Sequence, residues 1–208
     1  LFPYRTTKNL GDEIDRSQIL GRSQEEVFQH LATRPKYPGS ACTKLFRREF
    51  LMENDLKFPT NLTPAEDLTL CLNCFLKAER FDALLCPFYY YRQNREGSMT
   101  SKISGSSFHG LSEFVLNFAD SLTDKQRNPH TKIIGYPMAF VAHEYSILLW
   151  EYSRLNTAEK NAAKEFLQDY KWVLSYGASK KTKLIQKVVC ILGVDLTEKL
   201  LDVYMRNR

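Results

Sequence analysis

The chain has 208 residues, 43% of them apolar and 12% aromatic, which is enough for a real core in one domain or one and a half. Its formal charge is +5 and its pI is near 8.9, a mild basicity that suits phosphate-bearing partners of many kinds and selects none. Five cysteines, an odd count at irregular spacing, argue against a disulfide framework and for a reducing compartment, and no apolar run is long enough for a membrane span.

Leu1 to about Leu10 reads as a loose lead-in. It has no signal-peptide pattern and no initiating Met, so a fragment or a trimmed chain is expected. Gly11–Asp15 is acidic and turn-like. Ser23-Gln-Glu-Glu26 is a capping box: the Ser hydroxyl accepts from a free N–H of the first turn, and Glu26 reaches back to the cap. It opens a short helix with Val27, Phe28 and Leu31 on one face, broken by Arg34-Pro-Lys-Tyr-Pro-Gly39. Ser40–Phe46, rich in small residues, is expected as a buried strand, and Arg47–Asn54 as a short helix.

A second helix start stands out at Thr63-Pro-Ala-Glu-Asp67. Thr63 is the expected N-cap, and Pro64 falls at the first helical position, where a missing N–H costs nothing. Glu66 completes the capping box, and Asp67 sits on the first turn in the positive end of the dipole. Leu68, Cys71, Leu72, Phe75 and Leu76 then recur at helical spacing to about Glu79. Phe81–Arg92 ends in β-favouring aromatics and is expected as a strand with an irregularity at Pro87; Gln93–Thr100 is a polar loop.

From Ser106 onward only helical periods appear. Phe108 to Leu122, Met138 to Leu155, Ala163 to Val173, Lys181 to Leu192 and Leu196 to Met205 mark about five helices with short links. The Cys71-Leu-Asn-Cys74 pair lies mid-helix among apolar neighbours with no second pair, so it reads as core packing, as do Cys42, Cys86 and Cys190. Ser179–Leu192 carries Lys180, Lys183 and Lys187 on one face. It reads either as a surface anchor on anionic lipid or as an ordinary bundle helix with a lysine face.

Five segments, taken together and in order, resemble the family 2 inverting glycosyltransferases of the GT-A type. They are Lys44-Leu-Phe-Arg-Arg-Glu-Phe-Leu51, Asn54-Asp-Leu-Lys-Phe-Pro59, Ala65-Glu-Asp-Leu68, Pro87-Phe-Tyr-Tyr-Tyr-Arg-Gln93 and Gly97-Ser-Met-Thr100. The likeness is to bacterial members that build cell-surface polysaccharides, and it covers about Glu25 to Ser101. The helical tail resembles the variable C-terminal extensions of such enzymes.

The resemblance implies an α+β fold. Residues 1–104 would be the acceptor-side half of a partial, Rossmann-like GT-A sheet with helices, and 105–208 an all-helical extension. It implies a nucleotide-sugar donor and a glycan or lipid-linked acceptor, with Asp67 as the base and Glu66 beside it mainly as a cap. Arg92, Arg95 and Ser98 would lie on the donor side near the diphosphate. Lys44 either reaches the site or snorkels from the core.

Inverting transfer is a single displacement, so one carboxylate suffices where a glycosidase needs two. In this family an Asp-x-Asp holds a divalent metal, Mg or Mn, on the donor diphosphate. The sequence contains no Asp-x-Asp and lacks the usual opening nucleotide-binding strands. Metal is therefore expected only in the complete enzyme, none in this chain, and this chain alone is expected to be inactive. An uncovered sheet edge would favour self-association or pairing with the donor half. The expected location is cytoplasmic, with peripheral attachment at the inner membrane face through 179–192. Nucleic acid is not an expected partner, because the basic residues are spread and not interleaved with exposed aromatics. The rival reading is a non-catalytic helical interaction or membrane-surface module.

Overall fold

A computed structural model of the chain describes residues 15–32, 39–60, 65–84, 89, 105–123 and 132–206. Among the described residues the regular elements are all helical. They are α1 (Gln24–Ala32), α2 (Arg48–Glu53), α3 (Glu66–Lys77), α4 (Gly105–Thr123), α5 (Lys132–Glu151), α6 (Thr157–Tyr170) and α7 (Lys180–Arg206). Short 3-10 turns lie at Arg16–Gln18, Ala41–Thr43, Tyr152–Arg154 and Lys171–Tyr176.

The expected α+β fold with a Rossmann-like sheet is therefore corrected: no strand occurs among the described residues. Ser40 and Lys44 do have extended backbone, but the stretch between them closes into the 3-10 turn Ala41–Thr43. Its small residues let it pack on α3, where a strand would have needed a neighbour to pair with. Phe81–Leu84 is irregular. The Phe81 ring stacks on Phe75 at 5.5 Å and meets Phe28 edge-on at 6.2 Å, so its bulk fills a corner between α1 and α3. The rest of that expected strand, apart from Tyr89, lies outside the described residues.

α1 starts as the sequence indicates. The Ser23 hydroxyl accepts from the Glu26 N–H at 3.3 Å, and the Ser23 N–H donates to Glu26 Oε2 at 2.9 Å. The Ser23 N–H and, at 2.8 Å, the Ser23 hydroxyl both donate to the Glu26 carboxyl and hold it below its ordinary range. Gln24 then reaches across to the end of α3, its Nε2 lying 3.3, 3.2 and 2.9 Å from the carbonyl oxygens of Phe75, Leu76 and Ala78. A helix end leaves such carbonyls unpaired, so this single amide ties α1 to α3.

α5 is the axis of the molecule. Met138, Phe140, Val141, Tyr145, Leu148 and Leu149 are all buried, and α5 packs against α1, α4, α7 and the 171–176 turn. A helix apolar on nearly every side has to be surrounded. Val27, Phe28 and Leu31 of α1 join the same cluster as Phe114, Val115 and Tyr145, so the described parts of 1–104 and 105–208 share one core. α6 opens on a capping box in which Asn156 Oδ1 accepts from the Glu159 N–H at 3.0 Å. α7 breaks at Gly193, whose φ of 74° only a residue without Cβ adopts freely. The break falls between the two terminal helices read from the sequence. No helix among the described residues is long and apolar enough to cross a membrane.

Candidate functional site

The pair Glu66–Asp67 opens α3, but not as the expected capping box places it. The N-cap is Ala65, with φ 107° and ψ 5° and no side-chain cap bond, so Glu66 is the first helical residue, not the third. Thr63 and Pro64 lie outside the described residues. Glu66 Oε2 is buried and has no hydrogen-bond partner among the described residues, which takes that oxygen out of the capping role assigned to it. Ala65 is nearly buried in a left-handed conformation that costs an L-residue with a Cβ roughly 1–3 kcal/mol. Its carbonyl is well held, accepting from the Thr69 N–H at 3.0 Å and the Thr69 hydroxyl at 2.9 Å.

Asp67 is half-buried and faces the 41–43 turn. Its Oδ2 accepts from the Ala41 N–H at 3.2 Å, which docks that turn on the start of α3. Lys44 follows the turn and folds back over it, its Nζ donating to the Ser40 carbonyl at 2.6 Å and to the Thr43 hydroxyl at 3.3 Å. Burial pulls the Lys44 ammonium below its usual range, and the nearby Cys71, Asp67, Cys42 and Cys74 act in the opposite sense. Lys44 and Asp67, 23 positions apart in the chain, thus share one electrostatic neighbourhood.

The same burial decides the cysteine pair. Cys71 and Cys74 are each pushed up to about 11, desolvation outweighing the pull of Lys44, so both are thiols at neutral pH and poor nucleophiles or ligands. Cys42 and Cys190 are exposed, which corrects their reading as core residues. Among the described residues no three His, Cys, Asp or Glu side chains gather as metal ligands, and Asp67 already has an ammonium for a neighbour.

Next to the pair lies a cleft of about 990 Å³ between Thr43–Asn54 and Cys74–Leu84. Lys44, Arg47, Lys77, Arg80, Phe50 and Phe81 are on its walls; Asp67 is not. Its cations come from segments some thirty residues apart, so no local motif announces them. Arg92, Arg95 and Ser98 lie outside the described residues.

The arrangement is a helix-start carboxylate held beside a desolvated lysine, and that lysine lines a mixed aromatic and cationic cleft. No family model matches the chain, and no solved structure gives a significant match. Over 76 residues, 36% of its length, the chain is 33% identical to a poly(ribitol-phosphate) beta-glucosyltransferase of Bacillus spizizenii, 12% of which is covered. Over 75 residues, 35% of its length, it is 33% identical to the poly(ribitol-phosphate) beta-N-acetylglucosaminyltransferase TarS of Staphylococcus aureus, 13% of which is covered. The match spans only about an eighth of these relatives. Over about a third of its length, the chain is related to glycosyltransferases.

Proposed function

We propose that this chain is the acceptor-side part of an inverting glycosyltransferase of the family 2 kind, in which Asp67 is the general base. The observation that carries the proposal is Ala65. A nearly buried alanine held left-handed directly before a carboxylate pair is strain that the surrounding structure has to impose, and such positions concentrate where geometry serves chemistry.

The acceptor hydroxyl gives its proton to Asp67 as its oxygen forms the new bond at the anomeric carbon. The bond from that carbon to the diphosphate breaks, and its electron pair leaves with the diphosphate. Asp67 stands at the positive end of the helix dipole, and the Ala41 N–H fixes its orientation. Lys44 is a positioning residue: it folds the 40–44 turn that carries Ala41. Arg92, Arg95 and Ser98 would face the diphosphate of the nucleotide sugar.

The relatives are named for a poly(ribitol-phosphate) acceptor. A chain of phosphodiesters, free or lipid-linked, suits the cations along the cleft wall, Arg47, Lys77 and Arg80. The donor sugars of such a reaction are cytoplasmic, and that is the location proposed.

The test is Asp67→Asn in the complete gene product, assayed for sugar transfer from a panel of nucleotide sugars to a polyol-phosphate polymer. Asn keeps an oxygen for the Ala41 N–H, so thermal stability should be unchanged while turnover falls by about 10²-fold or more. Undiminished transfer would remove Asp67 from the mechanism.

A further inference from the structure

The first half of α7 presents two unlike faces. Thr182 and Val189 are turned into the protein, 1% and 4% exposed. At about 100° per residue, Lys180, Lys183, Leu184, Lys187 and Ile191 fall within an outward arc of roughly 100°. Leu184 is 63% exposed and Ile191 80%. The two aliphatic side chains therefore stand exposed at one end of this arc, between its lysines and Lys181 on the far side, whereas an ordinary bundle helix would turn them inward.

The charges are as one-sided as the shape. Ser179 to Val194 contains Lys180, Lys181, Lys183 and Lys187 and no acidic residue. Among the described residues, no ion pair or hydrogen bond is made by the side-chain ammonium groups of these four lysines. The lysines of α6 differ: Lys164 pairs with Asp195 at 2.6 Å and Lys160 with Glu198 at 3.8 Å, which occupies two of the three acids of the second half of α7, while the third, Asp202, accepts from the Ser153 hydroxyl at 3.3 Å. Past the Gly193 break the pattern recurs, with Leu196, Leu200 and Val203 exposed on the same face as Lys199.

We propose that this face of α7 is a peripheral anchor that lies on an anionic phospholipid surface. Leu184 and Ile191 enter the boundary between headgroups and acyl chains, and the four ammonium groups meet the lipid phosphates. A membrane partner accounts for both halves of the pattern. A protein groove would have to supply acids and an apolar slot in matching register, and a second copy of the chain would bring lysine against lysine. The helix lies on the surface and does not span it. This inference rests on α7 alone and is independent of the transferase proposal.

The test uses the full 208-residue chain, sedimented with vesicles of phosphatidylcholine alone or with roughly one part in four phosphatidylglycerol. The expected result is binding to the anionic vesicles only, weakening as salt is raised. Lys180→Glu with Lys187→Glu should lower the partition about tenfold or more. Leu184→Ser with Ile191→Ser should do likewise, and both pairs should leave the thermal midpoint unchanged, because all four side chains are exposed. Equal binding to neutral vesicles, or none to anionic ones, overturns the proposal. So does unaltered binding of the Ser variant. A dimer seen by light scattering and abolished by the Ser variant would assign the face to a second copy and also overturn it.

Discussion

Raising the pH from about 5 to about 9 should destabilise the helical core through two carboxyls on α5. Glu144 and Glu151 are each 8% exposed. Burial, and secondarily the neighbouring Glu151 charge, pushes Glu144 up to about 8. Burial pushes Glu151 up to about 7, opposed by the Arg154 guanidinium. Both values lie above the ordinary 4.5, so the folded protein keeps protons that the unfolded chain has released. The resulting stability is fully present below the ordinary value and is lost as pH rises through about 7 and 8. For Glu144 the ceiling is ~5 kcal/mol and for Glu151 ~3 kcal/mol, since each pKa step is worth about 1.4 kcal/mol. Water drawn to an ionised carboxylate lowers the cost actually realised.

The clean perturbation is Glu144→Gln, which keeps the shape and removes the titration. Urea denaturation followed by circular dichroism should show wild type and variant nearly equal at about pH 5. At about pH 9 the variant should be more stable by ~2 kcal/mol or more. The chain is basic overall, and its self-repulsion grows toward low pH in both proteins, so the difference between them isolates the carboxyl. A wild-type midpoint that is flat over this range, or a variant with the full wild-type slope, would refute the reasoning.

Gly193→Ala should cost ~1–2 kcal/mol and lower the thermal midpoint by a few degrees, because φ is 74° while no atom lies within 4 Å of the added Cβ. No change would mean that α7 is not broken there. Gly177→Ala should destabilise for a steric reason, since its Cβ would lie 2.6 Å from Thr182 Cγ2 in a buried contact. Adding Thr182→Ser, which deletes that methyl group, should recover part of the loss; an additive double mutant would rule the clash out. Tyr145→Phe removes the buried hydroxyl that donates to the Leu167 carbonyl, and chemical denaturation should show a loss of ~1–2 kcal/mol. Wild-type stability would mean that another donor serves that carbonyl.

The sequence by itself determined the helices whose signals are local. The Ser23 box and the apolar recurrence from Phe108 through Val173 each follow from residues within a turn or two of one another, and each appears where it was read; the break at Gly193 falls in the gap between the helices read as Lys181–Leu192 and Leu196–Met205. Asp67 was legible as a helix-start carboxylate for the same reason. Tertiary structure decided the rest. Ser40–Phe46 and Phe81–Leu84 look strand-forming because β-propensity records a fit to a half-buried surface, and here α1 and α3 supply that surface without a sheet.

Nothing in an alanine announces a φ of 107°, so the displaced start of α3 at Ala65 was invisible. Glu144 stands three residues after Val141 and four before Leu148, at the edge of the apolar stripe, where a glutamate would ordinarily keep its carboxylate in water. It is buried because α1, α4, α7 and the 171–176 turn close around α5 from several sides. The meeting of Lys44 with Asp67 belongs to the same class. Local backbone preferences set where helices run, but which side chains lose their water depends on contacts between distant segments, and that desolvation shifts Lys44, Cys71 and Glu144.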